Sequence, residues 1–374
     1  MTKPGAVAQQ GFSRGYSYYV FALLFLLYMF DYIDRLIIVS LFPFIKAEWG
    51  ISDANCGLLV SAVYWSILLF TFPVSILIDR WSRKKTIGIM ALVWSLATAA
   101  CALARNFGQL FAARTAIGIG EAGYAAGGTA MISALFPLER RARILGFWNA
   151  SIPLGSALGI GLGGVIAEHY GWRHALGLVA IPGMFIALLF FRVRDYKTIE
   201  LVTAAGADGM RVKMRPGEIA AHFVRSRSLV FVNLGFAASV FVTTSMMTWL
   251  PSYFQRVEDI PMSQAGAKSG LIMFLAILGA PLGGYLADRW YARRPSARML
   301  VPAITSVLTA VILFIAFTLL EGKAQYMTLL LVGMTAVAFV PSAVAVTQDV
   351  VHPGLRAMSL SINVIVQHVL GSSL

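Results

Sequence analysis

The stretch SILIDRWSRKK, residues 75–85, returns later in the chain as GYLADRWYARR, residues 284–294. In both copies an aspartate and an arginine stand together, Asp79-Arg80 and Asp288-Arg289, followed by a tryptophan and further bases. Each copy closes a long apolar run. A weaker echo links PLERRAR, starting at Pro137, with PGLRA, starting at Pro353. Repeats at equivalent places of two membrane halves point to a transporter with its substrate site between the halves.

The composition agrees with a membrane setting. Of 374 residues 58% are hydrophobic and 13% charged, against about a quarter charged in soluble chains. Mean hydropathy is +0.75. The apolar residues come in blocks long enough to span a bilayer, which takes about 20 helical residues. The pattern predicts an all-α polytopic protein with helices near 17–42, 55–78, 84–104, 109–134, 144–167, 174–192, 228–254, 265–287, 299–320 and 326–348, and an eleventh from 357. That last run, Ala357 to Leu374, is about 27 Å long at 1.5 Å per residue. Residues 1–16 hold no apolar core of a removable signal peptide, so the first span is expected to direct its own insertion. Cys56 and Cys101 fit neither a metal spacing nor a disulfide framework and read as small apolar fillers.

Charge gives orientation. The segments before helix 1 and after every second helix hold 22 of the 30 lysines and arginines. Positive loops stay inside, which puts the N-terminus in the cytoplasm and the protein in the inner membrane of a cell. The same asymmetry accounts for a net charge of +13 through anionic lipid, without a nucleic-acid partner. Residues 193–227 form a polar, basic connection in which PGEIAAHFVRS reads as a short helix on the membrane surface. The expected organisation is an N-terminal bundle over 1–192, a cytoplasmic linker over 193–227 and a second bundle over 228–374.

The run RTAIGIGEAGYAAGG, residues 114–128, contains a G-x-G-x-x-G at Gly118, Gly120 and Gly123. A dinucleotide fingerprint needs a preceding strand and an aqueous crevice, and this one lies inside an apolar helix. Its glycines read as places where a neighbouring helix comes close, as do Gly155, Gly159 and Gly163 at intervals of four.

Charges inside these helices carry more information. Ionisable groups within a span usually face a hydrated cavity or a partner. Arg114 and Glu121 are seven apart on helix 4, hence on one face, and helix 1 carries Asp31, Asp34 and Arg35, with Asp31 and Arg35 at i,i+4. The bland reading is a static ion-pair clamp between helices 1 and 4, with Asp31 merely pairing Arg35. The functional reading is coupling. Burial disfavours the ionised form of a carboxylate and a nearby guanidinium favours it, so the balance moves as a cavity opens or as an anion takes the arginine. On that reading Glu121 and Asp34 bind a proton, while Arg35 and Arg114 pair with them and receive an anionic substrate group.

The repeated acid-arginine loop, DYIDR at Asp31–Arg35, GIGEAGY in helix 4, and FPLERRARILGFWNASIPLGSALG from Phe136 together resemble the major facilitator superfamily over the whole chain, and within it bacterial members of the Spinster group. Organic-anion symporters of the superfamily are the near alternative, sharing a helix 1 Y-x-D-R and a helix 4 Glu-Ala. The resemblance implies two six-helix bundles, here without the twelfth helix, acting as a monomer. It makes Asp34, Arg35, Arg114 and Glu121 the coupling residues. It makes Asp79, Arg80 and Arg83, with Asp288 and Arg289, a cytoplasmic latch on the outward-facing state. Ser75 departs from the family's usual glycine at the start of the loop.

Helix 7 adds Asn233, Ser239, Thr243, Thr244, Ser245 and Thr248, and helix 10 adds Thr335, Ser342, Thr347 and Gln348, a polar wall suited to an oxygen-rich or amphipathic anion. Many of these hydroxyls are expected only to bond backbone carbonyls. Pro73, Pro153, Pro251, Pro281 and Pro341 read as bend points. No G-x-S-x-G, H-E-x-x-H or phosphate-binding loop is present, so an enzyme, a metal, a cofactor and direct ATP drive are not expected. The expected function is a proton-coupled secondary transporter of an organic anion. Its substrate is a lysolipid or sphingoid amphiphile by the Spinster resemblance, or a sugar acid by the symporter resemblance; a receptor or scaffold with the same fold is the third reading.

Overall fold

The computed structural model describes residues 13–80, 82–136, 138–194, 226–294, 296–350 and 356–372, and these are helical almost throughout. The helices are α1 (Arg14–Ile37, extended by a 3₁₀ turn Ile38–Leu41), α2 (Phe42–Trp49), α3 (Asp53–Arg80), α4 (Arg83–Ala102), α5 (Phe107–Glu121) and α6 (Tyr124–Leu135). They continue as α7 (Leu138–Asn149), α8 (Ser151–Tyr170), α9 (Trp172–Phe190), α10 (Arg227–Val257), α11 (Met262–Phe274) and α12 (Ala276–Tyr291). The last are α13 (Ala297–Thr318), α14 (Gly322–Thr335), α15 (Val340–Asp349) and α16 (Arg356–Gln367), with a final turn His368–Ser372. Residues 195–225 of the expected linker, and nearly all of the expected surface helix within it, lie outside the described residues.

Eight stretches among the described residues are long and apolar enough to cross a membrane, and large apolar side chains such as Leu69 and Phe314 are exposed on their outer faces. This suits a lipid surround, where each backbone polar group must be satisfied within its own helix. Helix ends are set by local chemistry. Ser13, Ser82 and Asn106 accept from the backbone N–H three residues on, at Tyr16, Lys85 and Gln109, in the usual N-cap manner. Gly50 ends α2 in the left-handed region, φ 64°, where a Cβ is penalised.

Four expected continuous helices are broken. The fourth becomes α5 and α6, separated at Ala122 and Gly123 directly after Glu121. The carbonyl of Ala122 receives the Thr71 hydroxyl of α3 at 2.9 Å, so this break is covered by a side chain. Gly123 serves as the cap of α6, a role different from the packing contact expected of it. The fifth, eighth and tenth expected helices part at Ala150, at Leu275 and at 336–339. Pro341 stands in the first turn of α15, where its missing N–H costs nothing.

By contacts the chain forms two compact units, Met1–Asp195 with Met247–Phe274, and Tyr196–Met246 with Leu275–Leu374. In the first, glycines bring backbones together. A Cβ at Gly155 would lie 2.4 Å from the Met29 carbonyl oxygen, at Gly159 2.8 Å from that of Ile33, and at Gly118 2.4 Å from that of Val63. The expected interval-of-four stripe on α8 is therefore its seam with α1. A second seam on α8 takes α11, where Gly164 faces Met262 O, Gly266 faces Ile160 O and Gly270 faces Ala157 O. In the second unit Gly279 and Gly283 of α12 press on Met334 O and Ala338 O in the same way. That unit's core holds Val232, Phe236, Phe339, Ala343 and Val346.

A Cβ at Gly283 would sit 1.9 Å from Ala338 O, a backbone atom, whereas one at Gly161 of α8 meets nothing within 4 Å. Thermal unfolding in detergent should therefore separate two chemically identical changes. Gly283→Ala is expected to cost about 1–3 kcal/mol through overpacking. Gly161→Ala is expected to be neutral or stabilising by up to about 1 kcal/mol.

Candidate functional site

The five charged residues of the first and fourth expected spans are all buried in the first unit, and four of them converge. Arg35 lies one helical turn after Asp31 on α1, and its Nη2 donates to Asp31 Oδ2 at 2.9 Å. The same nitrogen is 2.8 Å from Glu121 Oε2 on α5, an ion-pair distance without the alignment of a hydrogen bond. Asp31 and Glu121 side chains are 1% and 0% exposed, so one guanidinium serves two carboxylates with almost no water. Glu121 is the last residue of α5, and the break that follows lets its side chain turn toward α1. Asp34 is fully buried beside them, and neither of its carboxylate oxygens makes a hydrogen bond among the described residues. The nearby Thr98 hydroxyl donates instead to Trp94 O at 3.0 Å.

Arg114 behaves differently from the expectation. Fully buried, it sends Nε to Leu59 O at 3.1 Å, Nη1 to Asp34 O at 2.9 Å and Nη2 to Arg35 O at 3.0 Å. Its fork is thus spent on backbone carbonyls of α3 and α1, close to where α1 gives way to the 3₁₀ turn at Ile38. In that tighter turn the α-helical acceptors lose their i+4 partners, and a planar fork with several N–H groups is suited to replace them. Arg114 fixes the backbone that carries Asp34 and Arg35.

An aromatic shell surrounds the cluster that charge patterning alone did not reveal. The Arg35 guanidinium lies over the Tyr32 ring at 4.7 Å and the Tyr64 ring at 5.6 Å, contacts that favour a cation. Tyr28 stacks on Trp148, and Tyr124 OH and Trp148 Nε1 both donate to Leu24 O. Tyr28, Tyr32 and Arg35 follow the i, i+4, i+7 spacing of one helix face, which is the sequence signal for this shell.

The repeated loop motif is positioned alike in its two copies, at the last turn of α3 and the last turn of α12. The side chains of Asp79, Arg80 and Arg83 lie outside the described part of the structure. Asp288 is exposed and reaches Arg298 at 3.7 Å, and Arg289 Nη1 donates to Tyr285 OH at 3.0 Å. Neither forms a buried network among the described residues.

In the second unit the expected polar wall divides. Thr243, Thr335 and Thr347 donate to backbone carbonyls of their own helices. Asn233 accepts from Asn363 Nδ2 at 2.7 Å, which joins α10 to α16, and Gln367 continues the chain of amides to Asn363. Ser239 and Ser306 meet at 3.1 Å on the wall of a largely apolar cavity of about 720 Å³ between α10, α13 and α14–α15, which Thr243, Thr309 and Thr335 also line.

A further set of ion pairs gathers at helix ends of the first unit. Asp53 takes both Lys46 (2.6 Å) and the Arg256 fork (2.7 and 3.1 Å), and Lys268 pairs with Glu258. Glu168 accepts from the backbone N–H of Ser263 at the start of α11. Glu48 accepts from both Arg173 Nη atoms and from Trp172 Nε1. The Arg173 guanidinium first, then the Trp172 indole, hold the Glu48 carboxyl down at about 2.

Comparison with known proteins adds four findings. The family model of the Major Facilitator Superfamily matches residues 24–374. A hexuronate transporter of Bacillus subtilis (strain 168) is 28% identical over 276 residues, 73% of this chain and 65% of the relative. Protein spinster of Drosophila melanogaster is 27% identical over 356 residues, 92% of this chain and 58% of the relative, so the chain spans about three fifths of these curated relatives. A crystal structure of a bacterial homolog to the human lysosomal transporter Spinster, in an inward-facing and unoccupied conformation, has the same fold. Its TM-score is 0.83 at 23% identity, over 97% of this chain and 81% of that one.

Removing Arg35 leaves two buried carboxylates without their cation, a loss of the kind that costs about 3–5 kcal/mol. Arg35→Gln should lower the melting temperature markedly, and adding Glu121→Gln should recover part of the loss. No recovery would mean that the two carboxylates do not share the guanidinium. Glu48 gives a pH test. Because its folded value is depressed, its contribution is present above the ordinary 4.5 and lost as pH falls toward 2. The melting-temperature gap between the parent and Arg173→Gln should therefore hold between pH 7 and pH 6 and narrow as pH falls from about 5 to 3.

Proposed function

The chain belongs to the Major Facilitator Superfamily, and on that premise we propose that it is a secondary active transporter, driven by protons, that moves an anionic or amphipathic organic solute by alternating access. The two bundles that alternate are those before and after the connection at 193–227, with the N-terminus in the cytoplasm of an inner-membrane protein. The carrying observation is a charge count. Asp31, Asp34 and Glu121 are buried around Arg35, and Arg114 is buried beside them on the carbonyls of Asp34 and Arg35, three acids against two guanidiniums. With all five ionised, one negative charge is left without a counter-charge at low dielectric, a state too costly to persist. One bound proton removes it.

Glu121 and Asp34 carry that proton in this proposal. Asp31 is the standing partner of Arg35, while Asp34 has no hydrogen bond to lose and Glu121 shares Arg35 in an imperfect geometry. An anionic group that takes Arg35 withdraws the cation from Glu121, and a proton then replaces it, which couples substrate to proton movement. Arg114 does not meet the substrate in this scheme, because its donors are committed to carbonyls. Asp79, Arg80 and Arg83, with Asp288 and Arg289, form the cytoplasmic latch.

The apolar cavity of about 720 Å³ in the second unit supports an amphipathic solute with a hydrocarbon portion. A sugar acid or other small carboxylate is the second reading, and the hexuronate transporter relative favours it.

Uptake by proteoliposomes under an imposed pH gradient tests the scheme. Glu121→Gln and Asp34→Asn are each expected to abolish accumulation driven by the gradient while leaving solute exchange at equal pH. Accumulation by Glu121→Gln with unchanged proton dependence would sink the assignment of Glu121.

A further inference from the structure

The corner between α12 and α13, residues 285–298, reads YLADRWYARRPSAR and holds four arginines against one aspartate. Asp288 is spoken for by Arg298, 3.7 Å away, and Arg298 also lies 4.0 Å over the Tyr291 ring. Arg289 is steadied by the Tyr285 hydroxyl at 3.0 Å, and Arg293 is exposed. Neither Arg289 nor Arg293 has a carboxylate partner among the described residues. Between the end of α12 and the start of α13 these two side chains and Trp290 open a groove of about 340 Å³, whose other walls are Leu286, Val301, Ile304 and Thr305.

The walls tell what kind of anion fits. A soluble phosphate would satisfy the arginines and leave Leu286 and Ile304, 55% and 50% exposed, uncovered. Those side chains continue into the outer face of α13, where Val307 and Phe314 are each 64% exposed, so the groove opens toward the bilayer. From Ala297 to Thr305 α13 rises about 12 Å, the distance from a lipid headgroup into the upper hydrocarbon. Tryptophan at such a boundary has its apolar ring in the acyl region and its N–H at headgroup level.

We propose that this groove binds an anionic phospholipid, its phosphate held by the Arg289 and Arg293 forks and the first part of an acyl chain laid against Leu286, Val301 and Ile304. Guanidinium forks match phosphate oxygens pairwise, and basic pockets between membrane helices on the cytoplasmic side take anionic headgroups. By the distribution of lysine and arginine this corner is cytoplasmic, the side on which the leaflet potential is negative. The site is separate from the buried cluster of α1 and α5, and it stands or falls independently of proton coupling.

Native mass spectrometry of the full chain in detergent tests it, with phosphatidylglycerol and phosphatidylcholine of equal acyl chains as probes. Phosphatidylglycerol is expected to be retained at the higher occupancy. Arg293→Gln should weaken its retention about fivefold, the effect of one cation near an anionic surface. Arg294→Gln removes the same charge from the next residue, which does not line the groove, and should stay within about twofold of the parent. Arg293→Lys keeps the charge without the fork and should fall between. Equal losses for the Arg293 and Arg294 variants, or equal retention of the two lipids by the parent, would overturn the proposal. So would full displacement by glycerol 3-phosphate at the lipid's own concentration, since the apolar wall would then contribute nothing. If Arg293→Gln does not fold, the parent's lipid preference and the Arg293→Lys result still decide.

Discussion

Arg35 offers a single nitrogen to Asp31 on its own helix and to Glu121 on another, in a place that water hardly reaches. Such an arrangement is a poor source of stability, because two carboxylates and a guanidinium must all be stripped of solvent. It demands that the surrounding backbone be held firmly, and the rest of the first unit can be read as meeting that demand. Arg114 takes the carbonyls of Asp34 and Arg35. Thr71 covers the carbonyl freed where α5 stops after Glu121, and Tyr124 with Trp148 hold Leu24 O one turn before Tyr28. Close glycine contacts then bring α8 against α1 at Met29 and Ile33, on either side of Asp31.

Much of this was legible in the sequence, and the reason is periodicity. The interval of four at Gly155, Gly159 and Gly163 forecast a seam, and the structure supplies α1 as its partner. The spacing of Asp31 and Arg35 forecast their pairing, and the two acid-arginine loops both close a long helix. What periodicity does not carry is the identity of a backbone acceptor. Arg114 stands at the right interval from Glu121 to look like its companion, yet each of its three nitrogens donates to a carbonyl, a group that every residue possesses and no composition distinguishes. The helix breaks were hidden for a related reason. Apolar residues continue across Ala122–Gly123 and across Leu275, so hydropathy sees one run where hydrogen bonding makes two helices.

The two units differ in how they handle polarity. The first concentrates full charges at one depth, within an aromatic shell. The second spreads neutral groups: a ladder of amides from Asn233 through Asn363 to Gln367, and threonine hydroxyls that mostly return to their own helices. Neutral amides keep donor and acceptor fixed whatever the pH, whereas a carboxylate changes its hydrogen-bonding character on taking a proton. In the proposed scheme these side chains divide the labour, the first unit responding to protons and the second giving a constant surface.

The carbonyl contacts of Gly118, Gly155, Gly164, Gly266, Gly270, Gly279 and Gly283 have a consequence for how this protein can evolve. Glycine is the smallest residue, so every missense codon change at these places adds at least one carbon toward an oxygen that belongs to the main chain. No compensating side-chain replacement can move that oxygen aside, because it is present whichever amino acid stands there. Substitution along these seams therefore meets a main-chain obstacle, whereas an open position such as Gly161 meets none.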